Sequence, residues 1–287
     1  GGLIIFLSSI PLIIYYFDIY FQLDRYLVTF LLIYSIFFFI GLFDDIYDMR
    51  PMVKLNLSII LILFLLLFNS ELTVNYLRFD INNLTFFIGH NTSIFFLIFC
   101  FLLLQNSLNM TDGINGLFII IVLNILFTIS FYQNTTILPF TYSLIFFLII
   151  LLLFNMKSKL FLGDSGVFIF SLIIFVLILD TYKSNPNFKC DQIFLMLMIP
   201  GVDMFRLFIY RLIKGESPFL PSLNHFHHKL SAKFGFKSGL LIYSAIVFIP
   251  NYLSIKILDA YILILISIII YSFLIIICKN AKFTQIT

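Results

Sequence analysis

Residues 26–48 read YLVTFLLIYSIFFFIGLFDDIYD, an uncharged run from Tyr26 to Phe43 that ends on Asp44, Asp45 and Asp48. A helix needs about 20 mostly apolar residues to cross the hydrocarbon core of a bilayer, within a range of about 17–25. The run is long enough to span, and its carboxylates stand at the edge of the hydrocarbon, where charge is expensive unless it serves a purpose. Both halves of this pattern, an apolar span and a polar cluster at its end, recur along the chain.

Of the 287 residues 62% are hydrophobic and only 11% are charged. Soluble domains carry about 25% charged residues, so this composition belongs in a bilayer. Ten spans are read, over 2–17, 26–43, 53–69, 92–109, 114–132, 137–154, 166–182, 191–213, 239–256 and 259–278. The connections are short except 71–91 and 214–238. Segment 71–91 alternates in part (Leu72, Val74 and Tyr76 against Thr73 and Asn75) and is expected to form a small hairpin outside the bilayer. The chain carries no internal repeat, and the expected architecture is one domain over 1–287, an all-α polytopic membrane helix bundle.

Lys and Arg orient it. With connections alternating between two sides, twelve of the 17 basic residues fall on one side and five on the other, while the 14 acidic residues divide evenly. Cytoplasmic loops are enriched in Lys and Arg, so the basic side is the expected cytoplasmic face. A net charge of +3, dispersed along the chain, excludes a nucleic-acid surface. Cys100, Cys190 and Cys278, odd in number and scattered, suggest neither a disulfide framework nor a metal cluster.

Four polar clusters fall on the basic side. Asp44, Asp45 and Asp48 repel one another unless a cation sits among them or one keeps its proton; on a continuing helix Asp44 and Asp48 share a face. Hard oxygen donors of this kind suit Mg²⁺, which takes a few carboxylates together with substrate phosphates. Asn106, Asn109 and Asp112 recur every three residues, as on one helical face, and Gly113 and Gly116 then permit a tight bend. Gly163-Asp164-Ser165-Gly166 reads as a turn before a span, in which backbone can approach a phosphate and the carboxylate can reach a metal. His225, His227 and His228 stand among Lys229, Lys233 and Lys237, a setting better suited to phosphate than to zinc. Within an apolar span, Asp203 and Arg206 are spaced to pair, and Arg211 follows.

Taken together these clusters resemble the polyprenyl-phosphate N-acetylhexosamine-1-phosphate transferases, membrane enzymes that begin many cell-envelope glycans. Asp44-Asp45 is similar to the family's paired aspartates, and Asn106 to Leu117 to its Asn-Asp-Gly loop. Gly163 to Gly166 resembles its Gly-Asp-Ser-Gly turn, and Pro200 to Leu230, with Ser217-Pro218-Phe219 and Asn224 to His228, its sugar-recognition loop. Gly1-Gly2 resembles the end of the family's first cytoplasmic loop, so one further span and that loop are expected in a complete protein of eleven spans.

The resemblance implies transfer of a HexNAc-1-phosphate, GlcNAc by default, from a UDP-sugar to undecaprenyl or another polyprenyl phosphate. UMP leaves, with Mg²⁺ (or Mn²⁺) required. It further implies a multi-pass protein of the bacterial inner membrane, with its site facing the cytoplasm, feeding polysaccharide, cell-wall or lipopolysaccharide synthesis, and it leaves a homodimer open. By the same resemblance Asp164 would hold the metal, and Asp44 or Asp45 would act on the lipid phosphate. Asp112 joins them as a catalytic candidate, and it would contact the nucleotide with Asn106, Asn109 and Asn115. Asp203, Arg206, Arg211, His225, His227 and His228 would hold phosphate and sugar.

Two positions depart from the family pattern: Asn115 stands where a second Asp is usual, and Ser222-Leu223 where an Asp-basic pair is usual. The muramoyl-pentapeptide-phosphate branch of the superfamily is the nearest alternative, but His225-Phe226-His227-His228-Lys229-Leu230 fits the HexNAc branch better. A transporter would place its carboxylates near mid-membrane rather than at span ends.

Overall fold

The computed structural model describes residues 1–21, 25–217 and 222–279; Pro218 and Phe219 of the resemblance above, and Lys282 of the charge bias, lie outside them. Eleven α-helices and one hairpin follow in order: α1 (Gly2–Phe21), α2 (Arg25–Tyr47), α3 (Pro51–Phe68), β1 (Tyr76–Arg78), β2 (Thr85–Phe87), α4 (His90–Asn109), α5 (Leu117–Ser130), α6 (Leu138–Asn155), α7 (Gly163–Ser184), α8 (Cys190–Ile213), α9 (Phe226–Phe234), α10 (Phe236–Lys256) and α11 (Ala260–Ile277). Each of the ten predicted spans corresponds to one of these helices. Among the described residues eight helices are long and apolar enough to cross a membrane, so the chain is a multi-pass helical membrane protein.

Three helix starts move, and one site residue falls off its expected helical face. α5 is only 14 residues long because Gly116, at φ +83°, holds the chain in the left-handed region and delays the helix until Leu117. α10 starts at Phe236, three residues before the predicted span. α7 starts at Gly163, so Gly163-Asp164-Ser165-Gly166 is the first turn of a span rather than a turn before one. α4 ends at Asn109 and leaves Asp112 in the following turns, off the helical face expected to carry it.

α7 is the axis of the bundle: 94% of its membrane window is buried, against 22–44% for the other seven spanning helices. Apolarity alone does not explain this, since α11 is more apolar and only 22% buried. In lipid the hydrophobic effect does not drive helices together, so close packing through small residues must. Gly41 of α2 lies directly on the backbone of Ser165, where an added Cβ would come 2.8 Å from the Asp164 carbonyl carbon. Gly166 likewise admits Ile5 of α1, at 3.3 Å from where a Cβ would stand. α2, α4, α1 and α5 surround the axis.

The predicted hairpin is present, β1 pairing antiparallel with β2 in the register Tyr76↔Phe87, Leu77↔Phe86 and Arg78↔Thr85. It is clasped to α7 and α8. The Arg78 guanidinium donates to the Tyr182 carbonyl, Asp80 N–H donates to Asp191 Oδ2 at 2.6 Å, and Lys189 pairs with Asp80 at 3.0 Å.

Candidate active site

The first turn of a helix has backbone N–H groups without partners and a partial positive charge. In α7 these are satisfied by another helix. Asp45 Oδ1 accepts from Asp164 N–H at 2.7 Å, and Oδ2 accepts from Ser165 N–H at 3.3 Å and Ser165 Oγ at 2.7 Å. Gly163 makes room for this contact: it sits at φ +70°, and a Cβ there would lie 2.7 Å from both Asp45 carboxylate oxygens. Gly2 packs against Ser165 Oγ from α1. Asp45 therefore joins α2 to α7, and its oxygens are occupied in doing so.

Asp44, one residue earlier, points elsewhere. Its side chain is 1% exposed and pairs with Lys54 Nζ, while its Oδ1 accepts from Met49 N–H at 2.8 Å. Lys54 Nζ also donates to Asp164 Oδ2 at 3.2 Å, so one ammonium bridges two carboxylates from different helices. Asp48 does not share this face, because α2 ends at Tyr47 and Asp48 turns to φ +50°. Lys54 and Ser165 are the site residues that sequence reasoning missed. Lys54 lay inside the predicted span 53–69, and only its spacing ten residues after Asp44 could have singled it out.

Asp112 meets this patch from the turn between α4 and α5. Burial, then the charge of Asp45, pushes its carboxyl up to about 7, with the Gly163 N–H pulling the other way. Asn106 donates its amide to the Leu102 carbonyl of its own helix at 2.7 Å, and Asn109 lies half-buried one turn on. Asn115 turns aside to Ser158 Oγ at 2.8 Å.

The His segment docks on the same turn. A Cβ on Gly113 would lie 3.0 Å from His227 Nε2 and 3.2 Å from His228 Nε2. His225 and His227 stack with ring centroids 5.5 Å apart, and His227 and His228 lie at 4.2 Å. Burial, then the neighbouring imidazoles, lowers the basicity of His227; burial, then His225, brings His228 down to about 4. Both are therefore neutral near pH 7.

Asp203, buried in α8, organises the segment. Its Oδ1 accepts from Arg206 Nη2 at 2.7 Å and Tyr271 Oη at 2.9 Å, and its Oδ2 from His225 Nδ1 at 3.1 Å and Phe226 N–H at 3.0 Å. An ionised carboxylate only accepts, so His225 must carry its proton on Nδ1. Arg206 also donates to the Asn224 carbonyl at 2.7 Å. Asp203 and Arg206, expected to touch substrate, spend hydrogen bonds inside the protein, where they hold the loop, and 25% of the Arg206 side chain stays exposed. Tyr271 of α11 completes that lock. Arg211 is buried in the last turn of α8.

One end of the bundle thus gathers a continuous set: Asp44, Lys54, Asp164, Asp45, Asp112, Gly113 and the three imidazoles. The carboxylates outnumber the ammonium that bridges them, which makes the patch attractive to a cation. Among the described residues no three His, Cys, Asp or Glu side chains form a ready cage. Mg²⁺ does not require one, since one or two carboxylates plus substrate phosphates suffice, and Asp44 with Asp164 is such a pair.

Comparison with known proteins agrees with this geometry. Residues 27–182 match the family model described as glycosyl transferase family 4. The chain is 27% identical over 206 residues to the undecaprenyl-phosphate alpha-N-acetylglucosaminyl 1-phosphate transferase of Thermotoga maritima, covering 71% of this chain and 62% of that protein. It is 26% identical over 216 residues to the enzyme of the same name from Escherichia coli, covering 70% and 56%. With the Pasteurella multocida enzyme it shares 38% identity over 77 residues, 26% of this chain and 21% of the relative. The chain thus spans less than two thirds of the length of these relatives. The matched region runs from α2 into α7 and contains Asp44, Asp45 and Asp48, Lys54, the Asn-Asp-Gly turn and the first turn of the axial helix. The chain belongs to glycosyl transferase family 4.

Proposed function

We propose that this chain transfers a HexNAc-1-phosphate, GlcNAc-1-phosphate first among candidates, from a UDP-sugar to a polyprenyl phosphate at the cytoplasmic membrane face. UMP would leave, and the product would start a cell-envelope glycan. The observation that carries this reading is the single patch in which Asp44, Lys54 and Asp164 meet Asp112 and the imidazoles at the end of a membrane bundle. That is the boundary where a lipid phosphate and a water-soluble nucleotide can meet.

An oxygen of the lipid phosphate attacks the β-phosphorus of the UDP-sugar. A new P–O–P linkage forms, and the bond from that phosphorus to the bridging oxygen breaks, leaving that oxygen on UMP. Such transfers depend chiefly on positioning and on offsetting negative charge. Asp164 and Asp44 would hold Mg²⁺, or Mn²⁺ in its place, and the ion would supply charge neutralisation on the diphosphate. Lys54 Nζ supplies a second positive charge beside it. Asp45, already occupied by the first turn of α7, acts as a positioning residue. Asp112, with its carboxyl near the phosphate range, receives or places the proton of the acceptor phosphate. His227 and His228, neutral and buried against Gly113, present ring nitrogens to the sugar phosphate.

The test uses membranes from cells expressing the full-length gene product, given radiolabelled UDP-HexNAc and undecaprenyl phosphate. Labelled lipid and UMP should appear with Mg²⁺ and vanish with EDTA. If no UDP-HexNAc in a panel of several yields Mg²⁺-dependent lipid product, the reading is overturned. Full activity in Asp164→Asn would remove that residue from the cation role.

A further inference from the structure

The short helix α9 and the start of α10 carry a feature that the transfer reaction does not use. Lys233-Phe234-Gly235-Phe236-Lys237 forms their junction. Gly235, at φ +85°, turns the chain, and both aromatic rings face out at 39% exposure each. The junction is closely packed, because a Cβ added at Gly239 would lie 2.8 Å from the Ser231 nitrogen and 2.9 Å from the Leu230 carbonyl carbon. Two phenylalanines are thus displayed by a close-packed turn at the start of the spanning helix α10.

The charge around them has one sign. Lys233 and Lys237 flank the rings and are exposed; Lys229 stands one turn back on α9. Lys229 and Lys233 lie within electrostatic range of Cys278 at the end of α11, next to exposed Lys279. Between residues 217 and 287 the chain has a single acidic residue, Asp259, which caps α11 at the opposite end of the bundle. Among the described residues the ion pairs of the bundle involve none of Lys229, Lys233 and Lys237, and the nearby carboxylates Asp112 and Asp203 face the His side of α9.

We propose that the Lys233–Lys237 junction docks on anionic phospholipid of the surrounding leaflet, with Phe234 and Phe236 entering the acyl boundary and the lysines meeting the headgroups. Aromatic rings favour that boundary, and basic side chains near an anionic surface each add about a fivefold preference for it. A bilayer surface fits better than a protein partner because the rings and charges flank one turn beside a spanning helix. Since α9 also bears His227 and His228, the contact would steady the imidazoles from the membrane side.

The chain has no Trp, so Phe236→Trp creates a single optical reporter. In lipid vesicles its emission should be blue-shifted and shielded from acrylamide. Brominated phosphatidylglycerol should quench it at least about twofold more than brominated phosphatidylcholine at equal mole fraction, given that per-lysine preference. Lys233→Gln with Lys237→Gln, or molar salt, should erase the difference. Equal quenching by the two lipids would overturn the proposal, as would a tryptophan open to acrylamide or shielded only in a dimeric fraction. The readout involves no turnover, so its failure is distinguishable from failure of the transferase reading.

Discussion

At the scale of single residues the site is a set of electrostatic partnerships. Removing one member of a buried ion pair costs about 3–5 kcal/mol, and less where water reaches it. Lys54→Ala strands Asp44 and Asp164, and with 21% of the lysine side chain exposed a loss of about 1–3 kcal/mol is expected. Transfer should fall by about 100-fold, a magnitude typical of removing one electrostatic donor. Thermal unfolding in detergent and the lipid-product assay read both, and wild-type turnover in Lys54→Ala would sink the bridging role. Asp45→Ala removes the cap of the axial helix, at about 1–2 kcal/mol; Asp45→Asn keeps one acceptor and should lose less. Two groups outside the spans set opposite pH dependences. His228 is neutral in the fold down to about pH 4 but takes a proton in the unfolded chain below about 6.5, so its share of stability is lost as pH falls through that window. Asp112 keeps its proton in the fold up to about 7 while the unfolded chain releases it near 3.8, so its share declines as pH rises. His228→Gln should therefore flatten the acid limb of a Tm-versus-pH profile, and Asp112→Asn the limb approaching neutrality. Unchanged limbs in both variants would refute the assignment.

At the scale of elements, α7 carries the argument. A helix this enclosed leaves no room at its contacts, and overpacking costs about 1–3 kcal/mol. Gly41→Ala forces a methyl into the Ser165 backbone and should lower the melting point while pulling Asp45 off the first turn of α7. A neutral Gly41→Ala, measured by unfolding and by transfer, would show that α2 and α7 are not locked at that point. Much of this was foreshadowed in the residue order: apolar runs separated by polar clusters located ten of the eleven helices, α9 falling in the 214–238 connection, and the alternation after Leu72 located the hairpin. The mistaken boundaries cluster at Gly116, Gly163 and Phe236, where a left-handed glycine or a cap from a distant residue overrides local pattern. Asp45 caps a helix about 120 residues away, and no local reading of Gly163-Asp164-Ser165-Gly166 contains that information.

At the scale of the whole molecule the two ends of the bundle are built differently. One end holds the acidic patch and the imidazoles. The other is closed by Asp80, whose carboxylate binds Lys189 and Gln192 and whose backbone N–H donates to Asp191 Oδ2, as the hairpin clasp. Asp80→Ala should speed amide exchange across the hairpin by about tenfold, as expected for local opening, yet change transfer by less than about twofold. A parallel loss of transfer would mean that the clasp and the site are coupled through α7. By itself the sequence determined that this is a helical membrane bundle with four polar clusters at span ends, because the bilayer permits no other reading of such apolar runs. Only the tertiary structure decided which of those polar residues face one another. Asp44 pairs with Lys54 while adjacent Asp45 caps α7, and Asp203 and Arg206 hold the His loop. The direction of a side chain at a helix end depends on the helices packed around it, and those lie far away in the chain.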